Sequence, residues 1–172
     1  IGEDIDKYMA ASYVLELTEK VIPEEIPQPG IFKLLMEFIV ELEKRKAHHL
    51  TLELAYEIKL LRLLGTFPEL NRCTTCGDSK NPEFFSVENG GIMCLNCHEK
   101  IKSEAIESLI FPINFDIVKV LNYFTSNSLS TFKKIALEDR TANYLQKIIR
   151  SYISYHLDIK KLKSESVMDI EV

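Results

Sequence analysis

The sequence has no tryptophan, and only six glycines and six prolines among its 172 residues. Together they make up about 7% of the chain, against roughly 12% in an average soluble protein. So few turn formers imply few turns, and long helices are expected. Long apolar runs are missing too. Ile31–Val40 and Leu60–Leu64 are the longest, and charge interrupts them, whereas a membrane span needs ~20 residues. No membrane partner is expected. The opening Gly2-Glu3-Asp4-Ile5-Asp6 is acidic and follows Ile1, not Met. It does not read as a signal peptide, and a start inside a longer protein is expected. Motifs of the types GxxxxGK[ST], GxGxxG, GxSxG and HExxH are absent. Without a phosphate loop the chain is not a nucleotide kinase, and a non-enzymatic role is expected.

What is present suits one globular domain. Apolar residues make up 46% and charged residues 27% of the chain, close to the globular average and far from disorder. The net charge of −5 is unevenly spread. Residues 1–72 carry 13 acids and 9 bases, residues 73–110 six and three, and residues 111–172 seven and nine. The whole does not advertise nucleic acid binding, but its last third has room for a basic face.

Apolar spacing places the helices. Asp4–Lys20 lacks Gly and Pro and carries apolar residues on nearly all sides, which reads as a buried helix. The Pro23, Pro27, Pro29 cluster ends it. Ile31, Leu34, Leu35, Phe38, Ile39 and Leu42 follow helical spacing. A third helix is expected from about His48 to Leu64, with Gly65 as its cap and Pro68 beyond. Ile117, Val120, Leu121 and Phe124 mark a fourth helix. Leu145, Ile148, Ile149, Tyr152, His156 and Ile159 mark a long last one, with Asp139 or Thr141 at its start. Between them, residues 83–87 read as a strand, Glu88-Asn89-Gly90-Gly91 as a turn, and Ile92-Met93 as the return strand. The expected fold is mainly α, a helical bundle-like domain over residues 1–172 with a small β module inserted at 70–100.

That module carries the sharpest chemistry. Cys73-Thr74-Thr75-Cys76 and Cys94-Leu95-Asn96-Cys97 are two CxxC knuckles separated by 17 residues, the spacing of a four-cysteine zinc site. Thiolates two residues apart can converge on one centre, and two such pairs supply a tetrahedral S₄ shell. Gly77 suits the tight turn of the first knuckle. The expected cofactor is one structural Zn²⁺ per chain, held by Cys73, Cys76, Cys94 and Cys97, because four thiolates leave no open position for a catalytic water. Two disulfides or four unrelated thiols are the competing readings, and paired Cys of this kind suit metal in a reducing compartment better than a disulfide framework. His98 is expected to be a solvated neighbour, His48-His49 a surface pair, and His156 a satisfied core histidine. The carboxylate pairs Glu24-Glu25 and Glu41/Glu43 read as solvated faces.

Two further surfaces are candidates for binding. Lys147, Arg150, Lys160, Lys161 and Lys163 lie on and just beyond the last helix, in the one stretch that is clearly positive. They are candidate phosphate contacts, weak and directed at the backbone rather than at bases. Lys59 and Arg62 flank the apolar Leu60–Leu64 and are candidates for holding an acidic peptide.

The order of these features resembles a known family. Tyr13-Val-Leu-Glu-Leu-Thr18, then Ile31-Phe32, Tyr56-Glu-Ile-Lys-Leu-Leu-Arg-Leu-Leu-Gly65, Pro68-Glu-Leu70, Cys73-x-x-Cys76-Gly77, Gly90-Gly-Ile-Met-Cys94-x-x-Cys97, Tyr155-His156 and Leu162-Lys-Ser164 follow one another. Together they resemble the C-terminal part of RecO, the bacterial DNA repair and recombination-mediator family. The resemblance implies a helical domain with an embedded zinc module, preceded in full-length members by an OB-fold that this sequence lacks. It also implies binding of single- and double-stranded DNA, strand annealing, and work with RecR to load RecA. The acidic C-terminal tail of single-strand-binding protein is an implied partner, and the bacterial cytoplasm, at the nucleoid, the implied location. Other readings of the residues are a zinc-ribbon interaction module in transcription or translation and a zinc-dependent hydrolase, which would need an open metal site.

Overall fold

A computed structural model describes residues 4–22, 26–79, 82–101, 109–160 and 162–164. Helix α1 spans Ile5–Val21, with Asp4 at its N-cap accepting from the Lys7 N–H at 3.3 Å. Helix α2 spans Pro29–Lys44, with Pro in its first turn where a missing N–H costs nothing. Helix α3 spans His49–Leu63. Past Gly65 the Thr66 N–H donates to the Leu61 carbonyl at 2.9 Å, closing α3 where the expected cap stands. Strand β1 is Pro82–Ser86, β2 Gly91–Cys94 and β3 Ile110–Pro112, with the short helix α4, Leu95–His98, after β2. Helix α5, Phe115–Ser126, starts at Asn114, whose side chain accepts from the Ile117 N–H at 3.0 Å. A 3₁₀ segment, Leu129–Lys134, leads to helix α6, Asp139–Leu157.

The mainly α architecture stands as expected, with differences that have physical causes. Helix α1 buries only one face: Tyr13, Val14 and Leu17 are inside, while Ile5, Tyr8 and Leu15 face outward. The all-round burial belongs to α3. Thr51 through Ile58 and Leu60-Leu61 are buried, and the helix packs against α1, α2, α5 and α6. The third strand, β3, has only Ile110–Pro112 to signal it, too short for a clear alternation, and it carries the sheet past the expected boundary at residue 100. At the start of α6, Glu138 occupies the N-cap position without a side-chain bond, and Asp139 is the first helical residue. Glu41 is buried and accepts from Lys44 Nζ at 3.1 Å, so it is not on a solvated face. Glu24-Glu25 lie outside the described residues.

A helix buried on every side must place its polar residues among partners. On α3 these are Glu53 and Glu57, one turn apart. The Tyr13 hydroxyl donates to Glu57, and the Thr18 and Tyr56 hydroxyls pair at 2.5 Å. The Arg150 guanidinium of α6 lies 3.8 Å from Glu53 and 4.3 Å over the Tyr13 ring. Three helices thus meet through a polar seam inside an otherwise apolar core. Burial pushes the Glu53 carboxyl up to about 7, against the opposing pull of Arg150.

A raised carboxyl pKa means that Glu53 contributes most to stability below its ordinary unfolded value, near 4.5, where it is protonated in both states. That contribution is lost as pH rises through about 7. The stability difference between wild type and Glu53→Gln should therefore turn against wild type over this window and level above it. Urea midpoints measured from pH 4 to 8.5 check this; a flat difference would show that Glu53 does not titrate there.

Candidate metal centre and partner surfaces

The sheet builds the site by simple alternation. Its order is β2-β1-β3, antiparallel throughout. Phe85 pairs with Ile92 on one side and Phe111 on the other, and all three join the helical core. The adjacent pair, Phe84 and Met93, points the opposite way and packs with the cysteines. Successive side chains on a strand face opposite sides, so one thin sheet serves two cores.

The knuckles complete the second core. The Cys73 N–H donates to Asp78 O at 2.7 Å, and the Gly77 N–H returns to Cys73 O at 2.9 Å. Gly77 has φ +78°, a left-handed conformation that favours glycine there. The Thr74 N–H donates to Ile92 O at 2.9 Å, which docks the first knuckle onto β2. Cys94 ends β2, and Cys97 lies on α4. The sulfurs of Cys73, Cys76, Cys94 and Cys97 lie within 4.8 Å of one another. The Sγ atoms of Cys76 and Cys94 are 3.8 Å apart, matching the edge of about 3.8 Å that a tetrahedron with metal–sulfur bonds of ~2.3 Å would have. All four cysteines are free of disulfides. Burial opposes ionisation of Cys73, but N–H groups of Cys76, Cys94 and Thr75 outweigh it and hold the thiol down to about 6. Burial and the neighbouring sulfurs push Cys97 up to about 12. A cation among the sulfurs would relieve that cost, and the donor set suits a metal ion. His98 stands beside the cluster rather than in it, stacked on Phe84 at 3.8 Å.

The module is latched to the helices. The Glu69 N–H donates to Gly90 O and the Ile92 N–H to Glu69 O, both at 2.9 Å. Gly91 lies so close to this segment that an added Cβ would overlap the Glu69 backbone. From α6, His156 Nε2 meets Val87 O at 2.7 Å, and the Tyr152 hydroxyl donates to Thr66 O at 2.9 Å. His156 is thus a satisfied histidine, as expected.

The candidate cations are divided among several places. Lys59 and Arg62 line a groove of about 430 Å³ between α2 and α3, together with Leu34, Leu63 and Lys33, the last of which the sequence reading missed. Burial lowers the pKa of Lys59 there. Of the expected leucines, Leu60 and Leu61 are buried and Leu63 is exposed. Lys147 lines a second groove of about 900 Å³ with Arg140, and its ammonium lies 5.8 Å over Phe111. Arg150 and Lys160 line a third, of about 550 Å³. Arg150 is the most inward of the set, its guanidinium directed at Glu53 and Tyr13. Lys163 is exposed, and its backbone N–H donates to Glu16 at 2.8 Å. Lys161 lies outside the described residues. No described helix is long and apolar enough to cross a membrane.

Residues 2–166 match the family model of the recombination protein O C-terminal region. The chain belongs to the RecO family. A DNA repair protein RecO from Alkaliphilus metalliredigens is 32% identical over 159 residues, covering 92% of this chain and 62% of that protein. Another, from Pelotomaculum thermopropionicum, is 32% identical over 170 residues, 98% of this chain and 63% of that protein. A third, from a Thermoanaerobacter species, is 25% identical over 171 residues, 99% and 66%. The chain therefore spans less than two thirds of the length of these RecO relatives, and the matched family region contains all four cysteines.

The alternation in β1 and β2 changes what metal loss should do. From the sequence alone the helices are expected to persist without the ion, because their apolar stripes do not depend on it. With Phe85 and Ile92 in the helical core, Cys94→Ser should lose most of the bound metal and also lower the thermal midpoint of the whole chain. Each fully buried apolar side chain set loose is worth roughly 1.5–3 kcal/mol, and each kcal/mol shifts a chain of this size by about 2–4 °C. Elemental analysis with a melting curve followed at a helical signal checks both; full metal content in the variant would end the four-sulfur assignment.

Proposed function

We propose that this chain is the helical, zinc-bearing part of a recombination mediator that acts in DNA repair. The observation that carries this reading is the family match over residues 2–166, with relatives named DNA repair protein RecO. In this reading residues 1–172 form one helical unit with the metal module embedded in it. The ion is Zn²⁺, because four sulfurs at tetrahedral spacing suit it best. Its task is structural, since four thiolates close the coordination sphere, and this argues for a binding module rather than a zinc hydrolase. The partners are DNA, RecR and the acidic tail of single-strand-binding protein, the outcome is strand annealing and RecA loading, and the setting is the bacterial cytoplasm at the nucleoid.

The surfaces support a division of labour. The groove sets three cations, Lys33, Lys59 and Arg62, against one acid, Glu37, beside apolar Leu34 and Leu63, which suits an acidic peptide. Exposed Lys147, Lys160 and Lys163, with Lys161 and Arg150 in the same stretch, suit phosphates. Arg150 would contribute at the edge of its groove, since its charge is already engaged by Glu53.

Fluorescence anisotropy with a labelled acidic tail peptide and with labelled oligonucleotides tests both parts. Lys59→Glu with Arg62→Glu should weaken peptide binding at low salt and leave oligonucleotide binding in place. Replacing Lys160, Lys161 and Lys163 with Gln should weaken oligonucleotides of unrelated sequence alike. The salt slope should be shallow, of order −0.7 per phosphate contact on single strands. Peptide binding unchanged in the first variant, or marked sequence preference among oligonucleotides, would overturn the assignment.

A further inference from the structure

The four sulfurs of the metal centre are not equally shielded. Cys73, Cys94 and Cys97 are buried, whereas Cys76 is exposed. The Cys73 sulfur is enclosed by backbone N–H groups of Thr75, Cys76 and Cys94. The Cys76 sulfur stands 3.8 Å from that of Cys94, across the gap between the two knuckles. A solvent-facing cysteine sulfur beside a second one, both of them thiolates whenever they hold a metal ion, is the arrangement that peroxides oxidise, because susceptibility follows exposure and thiolate character.

We infer that Cys76 is the entry point of a peroxide-driven release of the metal, with Cys94 as the resolving cysteine. This rests on the metal reading of the four cysteines. The Cys76 thiolate attacks one peroxide oxygen: the S–O bond forms, the O–O bond breaks, and the departing hydroxide takes a proton and leaves as water. The Cys94 thiolate then attacks the Cys76 sulfur: the S–S bond forms, the S–O bond breaks, and the second hydroxide is protonated to water. Two thiolates lose two electrons, one peroxide gains them, and two protons are consumed. Only Cys73 and Cys97 would then remain to hold the ion, two donors where a structural site needs four.

Two features make the cross-knuckle disulfide the expected product. Cys73, the other member of the first knuckle, is the most deeply buried of the four, and Cys97 sits on α4, packed with Phe84, Met93 and Ile101. Cys94, at the end of β2, carries the change to the sheet that both cores share. Oxidation would then be felt in the helical body as well as in the module.

The test uses the zinc-loaded chain. Its metal content is measured first, so that absence of zinc overturns the metal reading separately. Hydrogen peroxide is then added in steps with a zinc-sensitive dye, and samples at partial conversion are trapped with N-ethylmaleimide and mapped by mass spectrometry. The expected result is one zinc released per chain, Cys76–Cys94 as the first disulfide, and recovery after dithiothreitol and fresh zinc. Cys76→Ser should slow release about tenfold or more. Where that variant does not hold zinc, the wild-type map at partial conversion decides, and in metal-free protein the same map still reports which thiol reacts first. A first disulfide within either knuckle, release at an unchanged rate in Cys76→Ser, or intact thiols at peroxide levels that oxidise glutathione would overturn the proposal.

Discussion

One sheet of three short strands is made to serve two interiors. Phe85, Ile92 and Phe111 face the helices, while Phe84 and Met93 face the sulfurs. A module of about thirty residues cannot bury enough apolar surface to hold itself together. Here it borrows a core on one side and gathers four sulfurs that could hold an ion on the other. Placing Phe84 or Phe85 one position out of register would present each strand's wrong face to both interiors at once. The turn at Gly90-Gly91, pressed against Glu69, and the hydrogen bond from His156 to Val87 fix that register from outside the sheet.

The helical body has a comparable constraint at its centre. Helix α3 touches four other helices and has no solvent face for its acids. Glu57 is met by Tyr13, and Glu53 by Arg150, so α1 and α6 are each tied to α3 by a polar contact as well as by packing. Breaking such a pair from one side costs more than the pair itself contributes, because a buried group then loses its partner. The same reasoning assigns Arg150 a structural share that the exposed Lys147 and Lys160 do not carry.

Much of this was legible in the sequence, and the rest shows why some was not. The stripes of α2, α5 and α6 each have one wet side, so their apolar spacing is visible. The CxxC pairs are legible because metal geometry fixes their spacing. Helix α1 misleads, since Ile5, Tyr8 and Leu15 are as apolar as its buried face yet stay outside. Helix α3 hides its centrality because Glu53 and Glu57 look like surface residues until their partners, tens of residues away, are known. Strand β3 is too short to announce itself. Charge in the last third is visible as a count, but the separation of Lys147 from Arg150 into different grooves depends on which way each turn of α6 faces.

The contact between Glu53 and Arg150 also constrains how the chain reaches its fold. It closes a loop of roughly 100 residues, at an entropic cost of about 4 kcal/mol by simple chain statistics. The metal module lies inside that loop. Folding it first shortens the free chain by roughly a quarter, which lowers the closure cost by only about 0.3 kcal/mol. Its larger contribution is the apolar face of Phe85, Val87 and Ile92, against which Tyr152 and its helix pack. The ribbon thus matters to the last helix as a packing surface far more than as a shortener of the loop.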